Sequence, residues 1–131
     1  MTATAQSATA AVAHQLVALC RARRNIEVIN RLYSQDIISV EPIGTDDLPA
    51  VLNGIDAIRQ KNQWWLDNNE IHAAEAHGPF IGDDQFAVHY VFDITYKPTG
   101  ERKQMQEMAL YTVKDGRIVR EQFFYNSPNE D

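Results

Sequence analysis

The stretch that decides the fold is Arg102 to Tyr125, RKQMQEMALYTVKDGRIVREQFFY, which reads as two long strands joined at Lys114-Asp115-Gly116. A Lys-Asp-Gly connection closes in one of two ways. Either Asp115 and Gly116 both take positive φ in a two-residue turn, or Gly116 alone is left-handed in a three-residue loop. Side chains alternate strictly along a strand, so the two closures put different residues on one face. In the two-residue register Val113 pairs near Ile118, Glu107 shares a face with Arg120, Gln122 and Phe124, and Glu121 joins Met108 and Leu110 on the other. In the three-residue register Met105, Glu107, Ala109, Tyr111 and Val113 share a face with Val119, Glu121, Phe123 and Tyr125. The second register is favoured, because it gathers the aromatics around the small Ala109 and leaves Gln106, Thr112, Arg120 and Gln122 on a polar face.

Working outward, Gln85 to Lys97 is the clearest strand. Phe86, Val88, Tyr90, Phe92, Ile94 and Tyr96 alternate with His89, Asp93 and Thr95. The run Glu70 to Phe80 before it alternates too, with His72, Ala74 and Ala76 on one side and Ile71, Ala73, Glu75 and His77 on the other; Gly78-Pro79 interrupts it. A helix from about Gly54, with Asn53 as its cap, carries Ile55, Ile58, Asn62, Trp65 and Leu66 on one stripe. Two helices open the chain: Thr9 to Ala22 with Val12, Leu16, Leu19 and Cys20 inward, and Asn25 to Tyr33, capped by Asn25, with Ile26, Ile29, Leu32 and Tyr33 inward. Between them and the third helix lie a short β-branched strand, Ile37 to Glu41, ended by Pro42, and a loop over residues 43–53. The order predicts an α+β domain of three helices packed on a mainly antiparallel sheet, with residues 1–8 a flexible terminus and 9–131 a single domain.

At 131 residues with one cysteine, the chain can bury a core without a disulfide. Cys20, on a helix in the run LVALC, reads as a buried small apolar residue. The formal net charge of −6 opposes a nucleic-acid partner, which needs a positive face. The basic group Arg21, Arg23 and Arg24 reads as a solvated helix end. No apolar run nears the ~18 residues of a membrane span, and the first residues lack the charged and apolar regions of a signal peptide, so a cytoplasmic location is expected.

The order of elements, the closing VKDGRIVREQFFY and the segment Ser39-Val40-Glu41-Pro42 resemble the SnoaL-like group of the nuclear transport factor 2 superfamily, over nearly the whole span from Ala10 to Asn126. The resemblance implies a cystatin-like fold, in which a strongly curved sheet wraps a long helix into an open-mouthed cone. It implies polyketide cyclases, steroid isomerases, dehydratases and epoxide hydrolases as relatives, and homodimers paired through the outer sheet face, here carrying Met108, Leu110, Ile118 and Phe124. Comparison with the ketosteroid isomerase branch gives Glu41 the position of the general base. The oxyanion-hole positions fall on Val17 and Ala109, which cannot donate a hydrogen bond, so steroid isomerisation is rejected. The same comparison points His72, Glu107, Glu121, Phe123 and Tyr125 into the cone.

The candidate site is therefore Glu41, His72, Glu107 and Glu121 as catalytic groups, with Tyr33, Asn62, Trp65, Tyr90, Tyr111, Phe123 and Tyr125 as the ligand-binding wall. Carboxylates crowded into an apolar cavity cannot all ionise cheaply, so one acts as acid and another as base. The competing reading is a satisfied buried network that positions strands without catalysis. His72 with these carboxylates is not a metal pattern, and the chain has no phosphate loop and no nucleophile elbow, so neither metal nor other cofactor is expected. The expected partner is a bulky, largely apolar small molecule that undergoes cyclisation, isomerisation or hydration.

Overall fold

The strands and helices follow hydrophobic period, and the sheet they form is mixed. The computed structural model describes residues 5–46 and 48–126. Its elements are α1 (Ala5–Arg21), α2 (Asn25–Leu32), β1 (Tyr33–Val40), β2 (Val51–Asn53), α3 (Ile55–Asn68), β3 (Asn69–Ile81), β4 (Gln85–Tyr96), β5 (Glu101–Lys114) and β6 (Arg117–Phe124). Helix α1 thus begins at Ala5, four residues before the expected domain start. Residues 1–4 and 127–131 of the expected boundaries lie outside the described residues.

The strand order is β2-β1-β6-β5-β4-β3, antiparallel throughout except for β1 beside β6. Residues 51–53, expected as loop, pair with β1 and form one edge. Helix α3 reaches Ser39 of β1 and Glu121 of β6 through Lys61, and Phe92 of β4 through Trp65. Three strand spacings of about 4.8 Å separate β1 from β4, too far for one helix about 10–12 Å wide to bridge on a flat sheet. The sheet is therefore strongly curved around α3, an open cone rather than a closed barrel, with β2 and β3 as free edges.

The core lies inside this curve. Val12, Ala13, Leu16 and Val17 of α1, Val28, Ile29 and Leu32 of α2, and Phe86, Val88, Ala109 and Ile118 of the sheet are buried together. Ile26, expected inward, is exposed, because the buried face of α2 runs through Val28, Ile29 and Leu32. Neither expected side-chain cap forms: Arg24 precedes α2 and Gly54, at φ 92°, precedes α3. Arg21 donates through Nε and a terminal nitrogen to the Ala76 carbonyl at 3.1 and 3.0 Å, so one of the three basic residues ties α1 to β3. Among the described residues, no helix is long and apolar enough to cross a membrane.

Helix α1 ends with the Arg24 N–H donating to the Leu19 carbonyl at 2.8 Å, which requires a left-handed residue at Arg23, φ 58°. A side chain in that region costs about 1–2 kcal/mol, and glycine does not bear that cost. Arg23→Gly should raise stability by roughly 1 kcal/mol after the entropy glycine adds to the unfolded chain. A thermal melt showing no increase would overturn this.

The central hairpin closes by the two-residue turn and not by the favoured three-residue loop. Asp115 and Gly116 both have positive φ, at 53° and 75°, and Val113 pairs with Ile118. Yet the expected face survives, because a bulge at Val119 shifts the register: Thr112 pairs with Arg120, Tyr111 with Glu121 and Ala109 with Phe123. Glu107, Ala109, Tyr111, Glu121 and Phe123 therefore share the inner face. Ile118, expected on the outer face, is buried inside, in the place expected for Val119.

Candidate functional site

Strand alternation carries Ser39 inward on β1, and Glu41 follows two residues later, where the chain leaves the strand. Pairing of β1 with β6 sets Ser39 beside Glu121. The Glu121 carboxylate, only 2% exposed, accepts hydrogen bonds from the Tyr33 hydroxyl at Oε1 and from Ser39 Oγ at Oε2, the latter 2.7 Å. Lys61 descends from α3 onto this group. Its Nζ lies 2.6 Å from Ser39 Oγ, 3.1 Å from Glu41 Oε1 and 3.2 Å from Glu121 Oε2. The same ammonium sits 4.8 Å from the centre of the Phe123 ring. Glu41 completes the chain by accepting from the Tyr125 hydroxyl at Oε2, 2.8 Å.

Burial opposes the charge of Lys61, but Glu121 and Glu41 outweigh it and raise its pKa. Burial and the bond to Glu41 push the Tyr125 hydroxyl well up. Glu107 differs from the other two glutamates. No hydrogen bond or ion pair to a described residue holds its carboxyl. Burial first, then the neighbouring Glu41, then Glu121, push it up to about 8 against the pull of Lys61. A carboxyl of that kind can hold a proton near neutrality and give it up a little above.

Behind Glu121 lies a second polar chain. The Tyr90 and Tyr111 hydroxyls are 2.7 Å apart and Cys20 Sγ is 3.7 Å from Tyr90. Burial raises the pKa of Tyr33, Tyr90 and Tyr111 well above the usual phenol value, and pushes the Cys20 thiol up as well. Tyr33, Tyr90 and Tyr111 are buried in the core, so they back the site instead of walling it. Trp65, Phe123 and Tyr125 remain partly exposed, and Trp65 packs on Phe92 with centroids 5.4 Å apart. Asn62 is half-buried, and its side chain makes no hydrogen bond to a described residue.

The structure thus brings Glu41, Glu107 and Glu121 together and leaves His72 out. The register of β3 shifts between Ile71 and Ala73, so His72 is an extra residue and Ala74 and Ala76 continue the inner row without it. Its Nε2 lies 2.7 Å from Thr95 Oγ1 on an exposed surface. Two groups escaped the sequence reading. Lys61 lies three residues after Ile58 and four before Trp65, the helical spacing of the buried stripe, and could have been chosen in place of Asn62. Ser39 lies two residues before Glu41, on the same strand face. An open depression of about 470 Å³ lies at the end of β6, shared by Glu107 and Tyr125 with the outer-face residues Phe80, His89, Met108 and Phe124. Among the described residues, no group of three or more His, Cys, Asp or Glu is arranged to hold a metal ion.

Comparison with known proteins gives one consistent result. Residues 7–125 match the model of the SnoaL-like domain. A candidate SnoaL-like polyketide cyclase, also called a carbohydrate phosphatase, from Mesorhizobium loti is 40% identical; the match covers 88% of this chain and 97% of that one, with a TM-score of 0.84. A candidate isomerase from Bacillus subtilis, at 15% identity over 95% and 90% of the two chains, has a TM-score of 0.74. A Xanthomonas campestris protein of unknown function with a cystatin-like fold, at 16% identity over 91% of each chain, has a TM-score of 0.73. The last two likenesses show the fold alone. No curated protein matches the chain.

Proposed function

The chain belongs to the SnoaL-like family of the nuclear transport factor 2-like superfamily, and from that premise we propose that it binds a bulky, largely apolar small molecule beside Glu107 and performs cofactor-free general acid/base chemistry on it, of cyclase, isomerase or hydratase type. The observation that supports this reading is the Glu107 carboxyl, without a hydrogen bond or ion pair to the described residues and raised to about 8. Glu41, anchored by Lys61 and Tyr125, is the second working carboxylate. Glu121 takes the other role weighed for the cluster: saturated by Tyr33, Ser39 and Lys61, it is a buried anchor. The Mesorhizobium loti relative is called a candidate cyclase, which agrees with this class of chemistry.

The test starts from a metabolite co-purified with the protein and identified by mass spectrometry, followed by turnover assays on it and its analogues. Glu107→Gln and Glu41→Gln should each lower turnover by about 10²-fold or more. Full turnover in both variants would leave the acid/base reading without support.

The outer sheet face supports self-association. Phe80, Met108 and Phe124 are exposed there beside the half-buried Leu110, and large exposed apolar patches mark interfaces. We expect a homodimer at micromolar concentration in equilibrium sedimentation, converted to monomer by Phe124→Asp. Monomeric wild-type protein would refute it.

A further inference from the structure

The charge and ring arrangement around Glu107 favours one class of ligand over others. On the inner face Glu107 pairs across β4 with Tyr90, and Phe92 is the next inward residue on that strand, paired with Met105. On the β6 side Ala109 faces Phe123, and the pairing of Met108 with Phe124 brings Tyr125 alongside Glu107. A carboxyl is thus framed by the partly exposed Phe92, Phe123 and Tyr125, with the buried Tyr90 backing them and Trp65 leaning on Phe92 from α3. Carboxylates together with aromatic faces attract cations. Lys61 already shows the preference, its ammonium lying between two carboxylates and over the Phe123 ring.

That ammonium is fully engaged. An ammonium has three N–H donors, and those of Lys61 go to Ser39, Glu41 and Glu121. Among the described residues no other lysine or arginine bonds to the cluster. An anionic ligand would therefore approach the charge of Glu41 with no free cationic donor to receive it, and both repulsion and desolvation would oppose it. Two carboxylates share one ammonium, and the third carboxyl, Glu107, lines the open depression at the end of β6.

We propose that the ligand of this site is an apolar compound with a basic nitrogen, an amine or imine, bound as its cation with the charge against Glu107 and the body against the aromatic frame. The proposal rests on the reading that Glu107 faces the ligand. The proton balance is simple. A neutral base takes the Glu107 proton: the O–H bond breaks, its electron pair stays on the carboxylate, and an N–H bond forms. A ligand that arrives as a cation instead displaces that proton to water. Since Glu107 holds its proton up to about pH 8, binding of a permanent cation at pH 7 should release close to one proton.

Three soluble probes of similar shape separate the outcomes by titration calorimetry at pH 7, in two buffers of different ionisation heat: benzyltrimethylammonium, the uncharged 2-methyl-1-phenyl-2-propanol, and phenylmethanesulfonate. The expected result is binding of the ammonium about tenfold tighter than the alcohol, no saturation by the sulfonate, and buffer-dependent heat reporting proton release. Glu107→Gln should remove both the preference and the release. The wild-type comparison alone decides the matter should that variant fail to fold. If the alcohol or the sulfonate binds as well as the ammonium, the inference about charge is overturned while the binding site stands. If none of the three binds, the inference falls together with the reading it rests on.

Discussion

Lys61→Met should cost about 3–5 kcal/mol of folding stability at pH 7, measured by urea denaturation, the largest loss expected of any single change in the polar cluster. Glu121 is 2% exposed and Glu41 has a side chain only 16% exposed, and Lys61 is the cation paired with both. Removing it leaves two carboxylates facing each other in a half-dry environment. The loss therefore comes from stranding charge, more than from the intrinsic strength of two ion pairs, since buried pairs gain little over apolar residues of the same size. That distinction is itself testable. Lys61→Met combined with Glu121→Gln should recover about half of the loss, because the amide oxygen still accepts from Tyr33 and Ser39 and one stranded charge is gone. A single variant within about 1 kcal/mol of wild type would show that solvent screens the cluster far more than its burial implies.

Stability should also fall as pH rises through neutrality, and Glu107 should be the cause. Its folded-state pKa of about 8 stands above the ordinary glutamate value of 4.5. The folded chain therefore binds more protons than the unfolded chain between those values, and ∂ΔG/∂pH is negative there. The contribution is fully present below about pH 4.5 and is lost as pH rises through about 8. Each tenfold difference in proton affinity between the folded and unfolded chain corresponds to about 1.4 kcal/mol. Discounted for the partial exposure of the side chain, a total near 2 kcal/mol between pH 5 and pH 9 is the expected size. Glu107→Gln, which stays uncharged, should flatten this part of the profile and be more stable than wild type at pH 9. Parallel profiles for the two proteins would mean that Glu107 titrates as an ordinary surface carboxylate.

Much of this arrangement was legible in the sequence, and the rest was hidden for specific reasons. The period-two pattern of Phe86 to Ile94 and the helical spacing of Leu16, Ile29 and Ile58 fixed the elements, because one face of each had to be buried. Alternation also puts Glu107 and Glu121 on one face, although the three-residue loop it favours is not the turn that forms. A bulge cannot be read from alternation, since it is the point at which alternation fails. The bulge at Val119 concealed the correct turn while preserving the face, and the shift at His72 removed a residue from the face that strict alternation had placed there. Lys61 was missed for another reason. A lysine on an inward stripe reads as solvent-facing until the two carboxylates that receive it, Glu41 just past β1 and Glu121 on β6, are seen to be neighbours through the parallel pairing of those strands.

The extra residue on β6 has a consequence for how this chain aligns with relatives. Val119 has no partner on β5, while Ile118 pairs with Val113 and Arg120 with Thr112. A relative lacking one residue at this point can therefore keep every pairing on either side, with the counterpart of Glu121 still inside the cone and only the local twist reduced. A gap one position long there is silent with respect to face. The same gap within Tyr111 to Val113, where each residue has a partner, would turn the strand over and carry Glu107 out of the site. Two deletions equal in length and only a few residues apart thus differ between a change of curvature and the loss of the chemistry.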